Sequence, residues 1–175
     1  VTGKPARFVR VELPGNKRIL TLAEVEVFSG GKNVAKDGKA TQSSNNSGGE
    51  AKKGSDGNKH RDWNKGGQTH TANAGTTNPW WEVDLGRDVA VEKVGVWNRM
   101  DFEYRLNYFT LTLLDMDRKP VFKITNVAAP EGMEIDTKNG KKNYLTYDGK
   151  PGKPSKNKAR QRGNVTPTKE PNLAE

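Results

Sequence analysis

An all-β sandwich is the fold class this sequence predicts, on three observations. Short runs of β-branched and aromatic residues alternate with polar ones at period two. Gly, Pro, Asn or Asp bounds nearly every run. No segment carries the apolar stripe of an amphipathic helix. Several short strands joined by long polar connections pack as two facing sheets.

The first run is Arg7–Leu13, followed by the turn Pro14-Gly15-Asn16 and a second run, Ile19–Phe28, closed by Gly30-Gly31. Within that second run, Leu22–Val25 also suits a turn. Later strands are expected at Trp80–Leu85, Val89–Trp97, Tyr108–Leu114, Val121–Thr125 and Met133–Asp136. Alternation with Val83 and Leu85 turns one of Trp80 and Trp81 inward, and Trp97 also reads as core. From Gly38 to Ala74 the chain is poor in aliphatics and rich in Gly, Ser, Asn and Lys, so a long loop is expected there, ordered by function. The sandwich is expected to span residues 1–136. Residues 137–175 read as a basic linker or tail, with Tyr144–Tyr147 able to add one edge strand.

Composition narrows the function. Of the 175 residues only 31 % are apolar, but they cluster in the alternating runs, which suffices for a small core. No cysteine is present, which excludes disulfides, thiolate catalysis and cysteine zinc sites. No run approaches the ~20 apolar residues that cross a bilayer, so membrane insertion is not expected. The start, Val1-Thr2-Gly3-Lys4, has neither an initiator Met nor a signal peptide, which suggests a piece of a larger protein. The net charge of +9 is concentrated: residues 137–175 carry +7 and residues 1–136 only +2. A nearly neutral body argues against a nucleic-acid partner.

The residues with chemistry are Arg99, Arg105, a carboxylate at Asp101, and His70 upstream, with aromatics nearby. Donor-only guanidinium groups and an imidazole suit a shallow pocket that grips ring hydroxyls. They do not suit bond cleavage: no nucleophile–base pairing, metal-hydrolase spacing or phosphate loop occurs, and no enzyme is expected.

Several segments together resemble the fucolectin-type lectins, a branch of the galactose-binding-like, discoidin-type jelly rolls. They are Asn33-Val34-Ala35, Gly38–Ser44, Asp56-Gly57-Asn58, Thr69-His70, Asn78–Leu85, Asn98–Asp101 and Arg105-Leu106, with Arg7–Gly15 and Ile19–Val27 completing the set. The order is unusual, because in the family the strands similar to Arg7–Leu13 and Leu20–Val27 close the domain. A circular permutation is therefore expected, with Met133–Asp136 as the strand that would otherwise run into Arg7. The alternative is that residues 1–28 finish a preceding domain and are swapped or orphaned here.

The resemblance implies one Ca²⁺ fixing the long loop, held by the carboxylates of Glu24 and Asp56 and the backbone carbonyls of Ala23, Lys53, Asn58 and Gly67. It also implies a sugar site in which His70, Arg99 and Arg105 bind hydroxyls, Asp101 holds an arginine in place and Trp63 meets the sugar's apolar patch. The chain departs from the family pattern in lacking the cysteines of the arginine loop and in spacing its two arginines one residue closer.

A non-catalytic carbohydrate-binding module is thus expected, for fucose- or galactose-type glycans. It would belong to a larger secreted protein that is extracellular, at the cell surface or periplasmic, with neighbouring domains as further partners. Two other readings stay open. One is a structural or protein-interaction jelly roll that has lost sugar binding. The other is polyanion binding, for instance to sulfated polysaccharide, through Lys150–Arg162.

Overall fold

A computed structural model describes residues 3–155. The expected tail segment Lys150–Arg162 therefore lies partly outside the described residues. The described strands are β1 (Lys4–Glu12), β2 (Leu22–Ser29), β3 (Lys32–Asn33), β4 (Lys39–Gln42), β5 (Trp80–Val91), β6 (Lys93–Asn98), β7 (Phe109–Leu114), β8 (Pro120–Val127), β9 (Gly132–Asp136) and β10 (Lys142–Leu145). They form two five-stranded antiparallel sheets, ordered β4-β5-β1-β7-β8 and β10-β9-β6-β2-β3. The only helical segments among the described residues are short 3-10 turns. This is the galactose-binding-like jelly-roll sandwich.

Period-two alternation decides what lies between the sheets. Val9 and Val11 of β1, Trp81 and Val83 of β5, and Leu111 and Leu113 of β7 point inward from one sheet. Val25, Val27, Val94, Val96, Met133 and Ile135 point inward from the other. All twelve are fully buried. On the outer face of the first sheet, Phe8 lies between the guanidinium groups of Arg7 and Arg118, 5.0 and 4.0 Å from its centroid.

The N-terminal strands pair within the chain. Val9 sits opposite both Val83 and Leu113, so β1 fills an interior position of its sheet, and β2 lies between β6 and β3. The alternative of swapped or orphaned residues 1–28 is thereby excluded. Leu22–Val25 is strand and not turn, because its amides and carbonyls pair with β6. β5 continues to Val91, past the expected end at Leu85. An irregularity between Ala6 and Phe8 of β1 absorbs the Gly86 corner, and β6 begins afresh at Lys93.

The stretch from Gly38 to Ala74 is more regular than a loop. Lys39–Gln42 pairs with Asp84–Trp81 as β4, a polar edge strand whose half-exposed alternation hid it among loop residues. Downstream, Gln68–Thr71 runs beside Leu20–Leu22. The amides of Thr69 and Thr71 donate to the carbonyls of Leu22 and Leu20 at 2.9 and 3.1 Å. In return, the amides of Leu22 and Leu20 donate to the hydroxyls of Thr69 and Thr71 at 3.0 and 2.9 Å. Two threonines thus replace a ladder of carbonyls.

Trp97 differs from expectation. With Val94 and Val96 facing the core, it falls on the outer face of β6, where Lys59 lies 4.8 Å over its ring and Glu26 accepts its Nε1–H at 2.7 Å. It is only 6 % exposed because neighbouring segments cover it. Past Asp136, β10 pairs with β9, and the Ser155 amide donates to Ala129 O at 2.7 Å, so packed structure continues beyond residue 136.

The close fit at Trp97 is testable. A Cβ added to Gly132 would stand 2.4 Å from the indole. Gly132→Ala is expected to lower stability by about 1–3 kcal/mol, measured by urea unfolding.

Candidate carbohydrate- and cation-binding site

His70 is held by its backbone before its side chain does anything. Its amide donates to Gly49 O at 2.9 Å, and its carbonyl accepts from Asn46 at 3.0 Å. The two segments approach so closely that a Cβ at Gly49 would lie 2.4 Å from the His70 nitrogen. Nδ1 of the buried ring contacts the Thr71 carbonyl, which can only accept, so Nδ1 carries the proton and Nε2 is left as an acceptor. Burial lowers the imidazole pKa, and the positive fields of Arg105 and Arg99 lower it further, which keeps the ring neutral.

Trp63 begins a 3-10 turn, Trp63–Lys65, capped by Asp62, whose side chain accepts from the Asn64 amide at 3.0 Å. Its ring meets His70 edge-on, with centroids 5.4 Å apart, and the Arg99 guanidinium lies 4.6 Å over it. Arg99 also stacks on Phe102 at 4.6 Å, and Arg105 stacks on the same ring at 4.1 Å. Of the expected sugar-site residues, Trp63, His70, Arg99 and Arg105 therefore converge.

Asp101 does not hold an arginine as expected. It is exposed, at a positive φ of 73°, and among the described residues it forms no ion pair; only its field reaches Arg99. That left-handed conformation is uncommon for a residue other than glycine and is one that Asp tolerates. Phe102 takes over the positioning, a role the sequence signals only by an aromatic lying between two arginines. Arg18 is a second residue that sequence reasoning missed. Buried, it donates to the carbonyls of Pro14, Arg105 and Asn107 at 3.0, 3.2 and 2.5 Å, fixing the backbone that carries Arg105.

The two arginines are electrostatically exposed to each other. Burial lowers the pKa of both; the Arg105 charge lowers that of Arg99 further, while Tyr104 partly offsets the effect at Arg105. Arg99 Nε and Arg105 Nη1 are buried without a hydrogen-bond partner in the protein. Desolvated donors with no carboxylate opposite them are costly until oxygen acceptors arrive.

A second group of polar residues lies on β2. The register shift between Leu22 and Glu24 makes Ala23 the extra residue of a bulge. Glu24 is fully buried; its Oε1 accepts from the Gly57 amide at 3.1 Å, and Oε2 has no partner in the protein. Burial raises the Glu24 pKa to about 8, against the Gly57 bond, and the adjacent Asp56 carboxylate adds to the rise. Asn58 lies against Gly67, where a Cβ would come 2.5 Å from its Nδ2 at a φ of +89°. Lys53 belongs to the 3-10 turn Ala51–Gly54, tied to the core by Trp81 Nε1 donating to Ala51 O at 2.8 Å. Among the described residues no three His, Cys, Asp or Glu side chains cluster. Any cation here thus rests on two carboxylates plus backbone oxygens. A buried carboxylate with one bare oxygen and a second carboxylate beside it requires a proton or a cation.

Comparison with known proteins places this geometry. The family described as NedA-like, galactose-binding domain matches residues 53–149. The chain belongs to this family. Among solved structures, this galactose-binding-like domain is similar to a fucose binding module, SpX-3, of Streptococcus pneumoniae. The identity is 32 % and the TM-score 0.57, covering 63 % of this chain and 80 % of that one. It is also similar to an f-lectin (fucolectin) from striped bass (Morone saxatilis) serum, at 35 % identity and a TM-score of 0.55, covering 65 % of this chain and 40 % of that one. The domain thus spans well under half of the fucolectin chain. No curated protein matches it.

Glu24 supplies a pH test. Its pKa in the folded domain lies above the ordinary 4.5, so between 4.5 and about 8 the folded state binds more protons than the unfolded chain. In chelator, stability is expected to fall as pH rises through that window. Glu24→Gln should remove more than about 1 kcal/mol of that fall, read from urea midpoints at successive pH values.

Proposed function

We propose that this galactose-binding-like domain is a non-catalytic carbohydrate-binding module, stabilised by Ca²⁺, for fucose- or galactose-type sugars. One observation carries the reading: two stacked guanidinium groups, with buried unpartnered nitrogens, face a neutral imidazole that keeps one acceptor nitrogen. That set offers several donors and one acceptor, which is the complement of adjacent hydroxyls and a ring oxygen. Trp63, edge-on to His70, offers an apolar surface beside them. The fucose-binding neighbour and the fucolectin support the sugar class.

Glu24 and Asp56 would hold the calcium, with the carbonyls of Ala23, Lys53, Asn58 and Gly67 completing an oxygen shell. The bare Oε2 of Glu24 is the feature that fits a hard cation. When bound, the ion would neutralise the two carboxylates and brace the segment that leads into Trp63 and His70. The domain would act outside the cytoplasm, as one module of a larger protein whose neighbouring modules raise its avidity.

Titration calorimetry with L-fucose and galactose, in calcium and in chelator, tests the reading. His70→Ala and Arg105→Ala are expected to abolish binding while melting within a few degrees of wild type. Calcium at about a hundred times its Kd should stabilise the wild type by about 2.7 kcal/mol, and Asp56→Ala should lose most of that gain. Silence of the wild type toward both sugars and a wider glycan panel would overturn the proposal.

A further inference from the structure

Two loops carry the sugar-facing residues: 58–68 holds Trp63, and 99–107 holds Arg99, Phe102 and Arg105. Neither contains a strand. Their direct backbone link is the Met100 amide donating to Arg61 O at 2.9 Å. The Arg99–Trp63 stack and the Arg18 hydrogen bonds help to register the guanidinium pair, and a further residue spans the two loops.

Tyr147, just beyond β10, touches both loops. Its hydroxyl donates to Glu103 Oε1 at 3.2 Å, at the start of the 3-10 turn Glu103–Leu106 that ends in Arg105 and Leu106. Its ring lies under the Arg61 guanidinium at 4.9 Å, two residues before Trp63. Its own amide donates to Glu131 Oε2 at 3.1 Å, and Glu131 O accepts from the Asn98 amide at 2.9 Å, the residue before Arg99. One residue is thus anchored through its backbone amide to the strand end that launches the second loop, while its side chain holds that loop by a carboxylate and the first by a cation–π contact.

Tyr147 is not a core residue. It is absent from the buried apolar cluster and borders a recess of about 330 Å³ on the outer face, shared with Lys59, Trp97 and Leu145. Its ring is placed by the two loops and its anchor, not by packing between the sheets. Burial and the Glu103 and Glu131 carboxylates push its phenol pKa up, so the hydroxyl remains a donor.

We propose that Tyr147 is a positioning residue of the carbohydrate site, a clasp that sets the distance between the Trp63 loop and the Arg99–Arg105 loop. This rests on the carbohydrate-binding reading above. Sites of this kind need their groups held within about half an ångström, and a loose supporting contact is felt as lost affinity. The clasp lies on a segment that touches no sugar-facing atom.

Calcium-loaded wild type, Tyr147→Phe, Tyr147→Ala and Tyr144→Phe are compared for binding of L-fucose and galactose and for amide hydrogen exchange. Tyr144 is the control: its hydroxyl donates to Ala128 O at 3.2 Å and contacts neither Glu103 nor Arg61, the two groups that Tyr147 holds. Tyr147→Phe should weaken binding about three- to tenfold, Tyr147→Ala more, and Tyr144→Phe not at all. Exchange in Tyr147→Phe should quicken at Met100 and across both loops, leaving β1, β5 and β6 protected as in wild type. A generally destabilised fold would instead quicken exchange throughout the sandwich, and that outcome, like unchanged affinity and exchange in Tyr147→Phe, overturns the clasp. If the wild type binds neither sugar, the carbohydrate reading falls, and the exchange pattern alone decides the clasp.

Discussion

The reciprocal hydrogen bonds between Gln68–Thr71 and Leu20–Leu22 are the constraint on which the functional end of the domain rests. They fasten the end of a long polar excursion to the entry of β2, using threonine hydroxyls where a neighbouring strand would use carbonyls. His70 is thereby fixed on one side of the junction, and Glu24 faces Gly57 on the other. Without that seam the imidazole would lose its register against β2, whose own pairing with β6 places the buried carboxylate.

Two unlike charge problems lie on either side of this seam. Glu24 is a carboxyl group withdrawn from water with one oxygen bare, which favours its protonated form, and Arg99 and Arg105 are cations pressed onto the same phenyl ring. Each arrangement lowers the stability of the unliganded fold, and binding sites commonly accept that cost to stay complementary to something absent from the protein. The core beneath is conventional, and the β1–β5–β7 and β2–β6–β9 pairings supply the rigidity that tolerates the strain above.

The sandwich was readable because its central strands alternate plainly, as in Arg7–Leu13 and Tyr108–Leu114. β4 was not, since Lys39–Gln42 is a polar edge that buries nothing completely. Trp97 misled because aromatic residues in strands usually face inward. Its direction follows from Val94 and Val96, and its burial comes from segments distant in sequence. The convergence of Trp63, His70, Arg99 and Arg105 was implied by the resemblance to fucolectin-type lectins, whereas the conformation of Asp101, at a positive φ, is not written in any residue pattern. Arg18 and Tyr147 act through carbonyls and carboxylates of distant segments, contacts that no local pattern encodes.

The interior placement of β1 also bears on how the chain reaches its folded form. Val9 must find Val83 and Leu113, and Val25 must find Val96, so the earliest strands gain their neighbours only after long intervening segments have collapsed. Non-local pairing of this kind makes folding slow relative to a helical domain of similar size. Until β5 and β7 arrive, the core-facing side of β1, with Ala6, Val9 and Val11, has no neighbours, and an unpaired strand with an exposed apolar face is prone to aggregate.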